Sequence, residues 1–395
     1  MKYEFDEVID RINDEFSFSF KWQGPAYILD SLGVKEMRED VICLETADMD
    51  FRVAPEIIED LHKLTDHGIF GYSRIPDSYR QAVCGWYERR QGWKFAPEDI
   101  YYMPGTHAAV AECVKRYTKE GDGVIVLTPC YGYHYDVEPN GRKYVSVEQI
   151  NDGNDIFSVD YEAFKRACEV KENTMLIMCH PHNPTGKVFT NDELIEIADI
   201  CRKNDVIIVT DEVHSDILRK GQEFEPMMKV CGPEKMIACT AVNKTFNLAG
   251  LSMTNMVISD SDLKLQAGDM YGMPTPFGIQ AVISAYSKGD AWVDALNEYL
   301  DENIRVCIDF IHEKLPKAVV AYPQGGYSIN IDFSGYGLSD DEVVDKIYGK
   351  AGVVLNSGLF FDDTRGKQVH RACLSSPRSM CIEALERIAK EFEGC

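Results

Sequence analysis

The residues best suited to chemistry are Asn183, Asp211 and Lys244, each standing just after a short run of apolar, β-branched residues. They are 28 and 33 residues apart, about one strand-plus-helix unit each. In a parallel α/β sheet such spacing brings all three to one edge, outside the carboxyl ends of the strands, where these sheets bind ligands. A fourth segment, Pro104-Gly105-Thr106-His107, stands just before a helix. Taken singly, each has a plainer reading: Asn183-Pro184-Thr185-Gly186 as a turn, Asp211 as a helix N-cap, Lys244 as a solvated surface lysine. Order and spacing favour one shared site.

The elements that must position these residues follow from periodicity. Val124 to Thr128, Thr174 to Cys179, Val206 to Val209, Met236 to Thr240 and Met256 to Ser259 read as buried strands. Helical stretches between them imply an α/β fold with a mostly parallel central sheet and helices on both faces. Thr190 and Glu193 form a capping box, after which Leu194, Ile197, Ala198 and Cys201 share one helix face and Asn204 ends it. Beyond about Ala291 a long helix, strand-like runs at Ala318 to Tyr322, Tyr327 to Phe333 and Val369 to Ala372, and a last helix through Leu385, Ile388 and Phe392 suggest a smaller α+β domain. The expected division is 45–288 for the large domain, with 1–44 and 289–395 forming the small one.

Composition narrows the function. A chain of 395 residues with a net charge of -24 repels phosphate backbones and anionic lipid, so neither nucleic acid nor membrane is expected as a partner. Acidic residues within Met1 to Asp14 do not suit a signal peptide, and no apolar run approaches the roughly 18 residues of a membrane span. A cytoplasmic protein is expected. Its 13 cysteines lie singly, without a C-x-x-C pair, as reduced and mostly buried thiols would. Cys179, His180 and His182 cluster near a strand end, but no spacing supplies a fourth ligand, so no metal is expected. Neither G-x-G-x-x-G nor G-x-x-x-x-G-K-[ST] occurs.

The ordered set Asn183, Asp211, Lys244 resembles the fold-type I pyridoxal-phosphate (PLP) enzymes of the class I/II aminotransferase superfamily, over nearly the whole chain. Four segments resemble the MalY/PatB-type carbon–sulfur β-lyase branch: Ala47-Asp48-Met49-Asp50-Phe51, Gly68 to Arg74, Lys244-Thr245-Phe246-Asn247-Leu248-Ala249-Gly250-Leu251 and Ser376-Pro377-Arg378-Ser379. The resemblance implies a PLP-dependent transferase-like fold. It also implies that Lys244 is the Schiff-base lysine and base, and that Asp211 pairs with the pyridine nitrogen. Asn183 and His214 would lie by the ring's phenolic oxygen and Tyr131 would stack on the ring. Gly105, Thr106 and Ser252 would receive the phosphate, with Tyr72 reaching the neighbouring subunit's phosphate in a homodimer. Arg371 would clamp the substrate carboxylate, a task that suits a planar bidentate donor, with Arg378 its competitor.

The chain departs from the family pattern at several positions. Ala241 stands three residues before Lys244, where many relatives use Ser, and Ser252 eight residues after it, where many aminotransferases place a phosphate-binding Arg. Asn243, His180 and Ala372-Cys373 are further departures. The reading favoured is β-elimination from cystathionine or a related cysteine S-conjugate, giving a thiol, pyruvate and ammonia. The alternatives are an aminotransferase using the same residues and a regulatory protein that retains the fold.

Overall fold

The computed structural model describes residues 3–23, 25–34, 38–268 and 272–395. Among them, seven strands form the central sheet: β1 (Ile100–Met103), β2 (Gly123–Thr128), β3 (Lys143–Glu148), β4 (Asn173–Cys179), β5 (Ile207–Asp211), β6 (Met236–Ala241) and β7 (Thr254–Val257). Their order is β1-β7-β6-β5-β4-β2-β3, and only β7 runs antiparallel to its neighbours.

Both faces of the sheet are covered. Along β2, Ile125 and Leu127 enter one apolar core with the helices Asp77–Gln91, Asn191–Lys203 and Pro276–Lys288, while Val124 and Val126 enter another with the helix Thr106–Tyr117. Strands buried on both sides must be apolar throughout, so the central ones read as unbroken hydrophobic runs. The Thr190 capping box forms as expected, the four apolar residues of that helix are buried, and Asn204 is its C-cap. A separate apolar cluster unites Leu29 and Cys43 with Ile304, Ile308, Ile331, Tyr348 and Leu385. It carries the antiparallel strands β8 (Ser328–Asp332), β9 (Asn356–Ser357) and β10 (Val369–Cys373), in the order β8-β10-β9.

Several boundaries differ from the periodicity. The strand expected at Met256 to Ser259 is Thr254–Val257, because Ile258 turns its N–H to the Asp99 carbonyl at 3.0 Å and Ser259 bonds the Asp99 side chain. Of Ala318 to Tyr322, only Val319 bridges to Asp332, between a turn closed by Ala318 and the helix-breaking Pro323. The helix opened by Thr106 stops at Tyr117, where Thr118 becomes extended. The strands at Ile100–Met103 and Lys143–Glu148 escaped the pattern because both are edge strands, and in β3 only Val147 is fully buried, so it does not run apolar. Among the described residues no helix is long and apolar enough to cross a membrane.

Candidate active site

Strand register gathers the site. Asp211, the last residue of β5, lies between Cys179 of β4 and Cys239 of β6. The chain leaving β6 enters the short helix Val242–Thr245 that carries Lys244. Because β7 is antiparallel, its first residue Thr254 lies beside Ala241 and Met103, so Ser252 and Gly105 reach the same edge.

Lys244 is fixed from two directions. Its Nζ donates to the Ala47 carbonyl at 2.7 Å, and the Tyr327 hydroxyl donates to that oxygen at 2.9 Å. Asn247 holds the same segment: its side chain accepts from the Met49 N–H at 2.9 Å and donates to the Met49 and Phe51 carbonyls, both at 3.0 Å. Two of the motifs quoted above are thus one interlocked unit. Burial lowers the Lys244 pKa; Cys373 opposes this and the Arg371 charge adds to it. A lysine placed so is readied as a base.

Asp211 is buried, which raises its pKa against the hydrogen bonds it accepts. The Tyr133 hydroxyl donates to Oδ2 at 2.9 Å and the Val213 amide to Oδ1 at 3.3 Å. Both donors are neutral, so the carboxylate keeps capacity for a cationic ligand. The Tyr133 oxygen also lies 2.7 Å from the Cys179 sulfur.

Arg371 sits on β10, 2 % exposed. It donates to the Asn183 side-chain oxygen at 3.0 Å and the Glu45 carbonyl at 2.6 Å, with the Phe361 ring 4.8 Å from its guanidinium carbon. His214 packs edge-on against Tyr327 with 5.6 Å between ring centroids. Burial and the Lys244 and Arg371 charges push its pKa down to about 3, so the ring is neutral. Its Nδ1, like Arg371 Nε, is buried with no hydrogen-bond partner among the described residues.

The Tyr131 hydroxyl lies 3.3 Å from His107 Nε2, and His107 Nδ1 lies 2.7 Å from an Asp136 oxygen. Gly105 precedes the helix at φ 110, and a Cβ there would meet no atom within 4 Å, so its backbone is open to an approaching group. Thr106 Oγ1 and Thr254 Oγ1 are 3.2 Å apart. Ser252 is exposed and left-handed at φ 52, and its carbonyl accepts from Tyr102.

The structure therefore brings together Lys244, Asp211, Asn183, His214, Arg371, Tyr131, Gly105, Thr106 and Ser252. Tyr72 stands apart, 98 % exposed. Cys179, His180 and His182 are engaged elsewhere: Cys179 with Tyr133, His180 with the Glu225 carbonyl at 3.1 Å, and His182 with Thr185 at 2.9 Å. Sequence reasoning missed Tyr133, Tyr327 and the Ala47 carbonyl, and left His107 without a role. His107 carried a faint signal, a polar ring in the first turn of an otherwise apolar-faced helix. Tyr327 carried none.

This donor set fits the expected cofactor: a depressed lysine amine, a buried carboxylate bonded only to neutral donors, an orphaned imidazole nitrogen and an open glycine before a 12-residue helix. A mostly parallel α/β sheet with this constellation at its carboxyl edge defines a fold-type I PLP enzyme. The chain belongs to the family described as aminotransferase class I and II, whose model matches residues 39–388. It is 33% identical to cystathionine beta-lyase PatB of Bacillus subtilis, covering 90% of this chain and 91% of that protein. It is 28% identical to Protein MalY of Escherichia coli over 95% of each. Among solved structures, PLP-containing cystalysin from Treponema denticola superposes with a TM-score of 0.92 at 30% identity over 99% of both chains. A PLP-bound candidate aminotransferase from Clostridium difficile 630 gives 0.92 at 35% identity, over 99% of this chain and 100% of that one.

Proposed function

We propose that this protein is a PLP-dependent carbon–sulfur β-lyase that cleaves cystathionine or related cysteine S-conjugates to a thiol, pyruvate and ammonia. The observation that carries the reading is the convergence of Lys244, Asp211 and Arg371 on one sheet edge, in a chain similar to cystathionine beta-lyase PatB and to cystalysin. When bound, PLP supplies an electron sink that stabilises negative charge at the substrate Cα.

The residues divide the remaining work. Arg371, held planar between Phe361 and its two acceptors, offers a preset fork to the α-carboxylate; Asn183 keeps one arm in place. Lys244 would hold the cofactor and then take the Cα proton, for which burial has lowered its basicity. Asp211 would pair with the protonated pyridine nitrogen. Neutral His214, with Asn183, would face the phenolic oxygen, and Tyr131 the ring. Gly105, Thr106 and Ser252 would receive the phosphate. The division into a PLP-binding domain, 45–288, and a domain of 1–44 with 289–395 that supplies Arg371 belongs to the same reading. So do a cytoplasmic location and a homodimer: Tyr72 is almost fully exposed in its own chain, which suits a role in a partner's site.

The Clostridium difficile relative favours aminotransfer as the second reading, since the same residues would serve it. Supplying cystathionine without any keto acid separates the two. Thiol and pyruvate released together, and lost in Lys244→Ala, support the lyase; absolute dependence on a keto acid overturns it.

A further inference from the structure

Ser252 stands where many aminotransferases have a phosphate-binding arginine, which the lyase branch that this chain resembles often lacks too, so the chain has no cation at that place for a dianionic group. Another basic residue reaches the same edge. His107 is the second residue of the helix Thr106–Tyr117, directly after the open Gly105 backbone and beside Thr106, whose hydroxyl meets that of Thr254, two residues beyond Ser252. Its ring is set by two contacts: Nδ1 lies 2.7 Å from Oδ2 of buried Asp136, and Nε2 lies 3.3 Å from the Tyr131 hydroxyl. A histidine whose Nδ1 donates to a carboxylate is held in one orientation and becomes more basic. The side chain is half exposed, so it can meet a ligand entering the site.

We infer that His107, oriented by Asp136, binds the phosphate of PLP through Nε2, which exchanges its long Tyr131 contact for a phosphate oxygen. The assignment rests on the cofactor reading above, and is independent of whether the chemistry is lyase or transferase. The groups facing His107 are Asp136, Tyr131, Asp211 and Lys244. The bond to Asp136 and the two carboxylate charges raise its pKa, while burial and Lys244 lower it, and the net shift is upward. Asp136 is a positioning residue here, acting through the ring it holds.

The test compares apoprotein binding of PLP with that of pyridoxal, which lacks the phosphate, by fluorescence titration. The ratio of the pyridoxal dissociation constant to that of PLP cancels what the ring and aldehyde contribute. His107→Gln should lower this ratio by about tenfold, roughly one charge-assisted hydrogen bond. In the wild type the ratio should fall as pH rises through the His107 pKa, and Asp136→Asn should move that fall to lower pH. Nitrogen-15 chemical shifts of His107 in the wild-type apoprotein give an answer that needs no variant: inorganic phosphate should raise its pKa. If His107→Gln weakens PLP and pyridoxal equally, or phosphate leaves the His107 titration unmoved, the inference is wrong and the histidine only orients Tyr131. If neither aldehyde binds the wild type, it is the cofactor reading that fails.

Discussion

Replacing Tyr133 by Phe removes one hydroxyl from beneath the site and leaves an aromatic ring of nearly the same volume. The hydroxyl donates to Asp211 at 2.9 Å; the other donor to that carboxylate, the Val213 amide, is longer at 3.3 Å. A hydrogen bond to an ionised group contributes about 1.5–3 kcal/mol. Since 1.36 kcal/mol corresponds to one pKa unit, its loss should raise the Asp211 pKa by about one to two units. Burial already raises that pKa, and loss of the hydroxyl moves it further in the same direction. Cys179 cannot substitute as a charged group, because burial holds its thiol well above its usual pKa and it stays neutral.

The sign of the effect follows. A pyridinium needs the ionised carboxylate, so PLP affinity for the apoprotein should weaken about tenfold per pH unit below the Asp211 pKa. In Tyr133→Phe this break should move up by about one unit or more, with affinities converging on the wild type at higher pH. Pyridoxal should show the same displacement as PLP, because both present the same ring nitrogen, whereas the His107 effect should touch PLP alone. Fluorescence titration of the apoprotein across the acid range measures both. A Tyr133→Phe protein with wild-type melting behaviour and an unmoved break would refute the claim that this hydroxyl holds Asp211 ionised.

Arg371→Lys keeps the charge but cannot serve both the Asn183 and Glu45 acceptors while gripping a carboxylate, so KM should rise by roughly 30-fold with a smaller change in kcat; an unchanged KM in steady-state assays would move the carboxylate site elsewhere. Lys21 is fully buried, with its Nζ 2.8 Å from Asp50. Asp50 also accepts from Arg11, Trp22 and Ser376, so Lys21→Met should cost near the low end for a broken buried pair, about 3 kcal/mol in urea denaturation, and a loss under about 1 kcal/mol would show the cation to be dispensable. His180, His182 and His370 are buried, and burial lowers each pKa from 6.5 to about 4. The unfolded chain takes up these protons first. The stability they support is therefore complete above about pH 6.5 and is lost toward pH 4, each contributing a slope of about 1.4 kcal/mol per pH unit. His370→Gln should flatten that slope in pH-dependent denaturation, and an unchanged slope would mean His370 is protonated inside the fold.

How much of this was legible in sequence depends on the range over which each feature is determined. Asn183, Asp211 and Lys244 could be found because each ends or follows a strand buried on both faces, and the interval between them measures the βα unit itself. Arg371 was reachable only through resemblance: it lies on a small antiparallel sheet, and nothing local says that its side chain crosses to the Asn183 side of the cleft. The Lys244 to Ala47 bond joins residues 197 apart, and Tyr327 meets the same carbonyl from 280 residues away, so neither contact leaves a trace in any window of sequence. The sharpest case is charge. Read along the chain, Ser252 is a neutral residue where many aminotransferases carry a cation. In space, the short helix His134–Val137 packs against the first turn of the helix Thr106–Tyr117, and Asp136 meets His107 across 29 residues. Strand periodicity fixes where a backbone delivers its side chains. Which of those side chains is charged is decided by neighbours that only the packing of two helices brings into contact, which is why the anchoring residues could be read and the tuning ones could not.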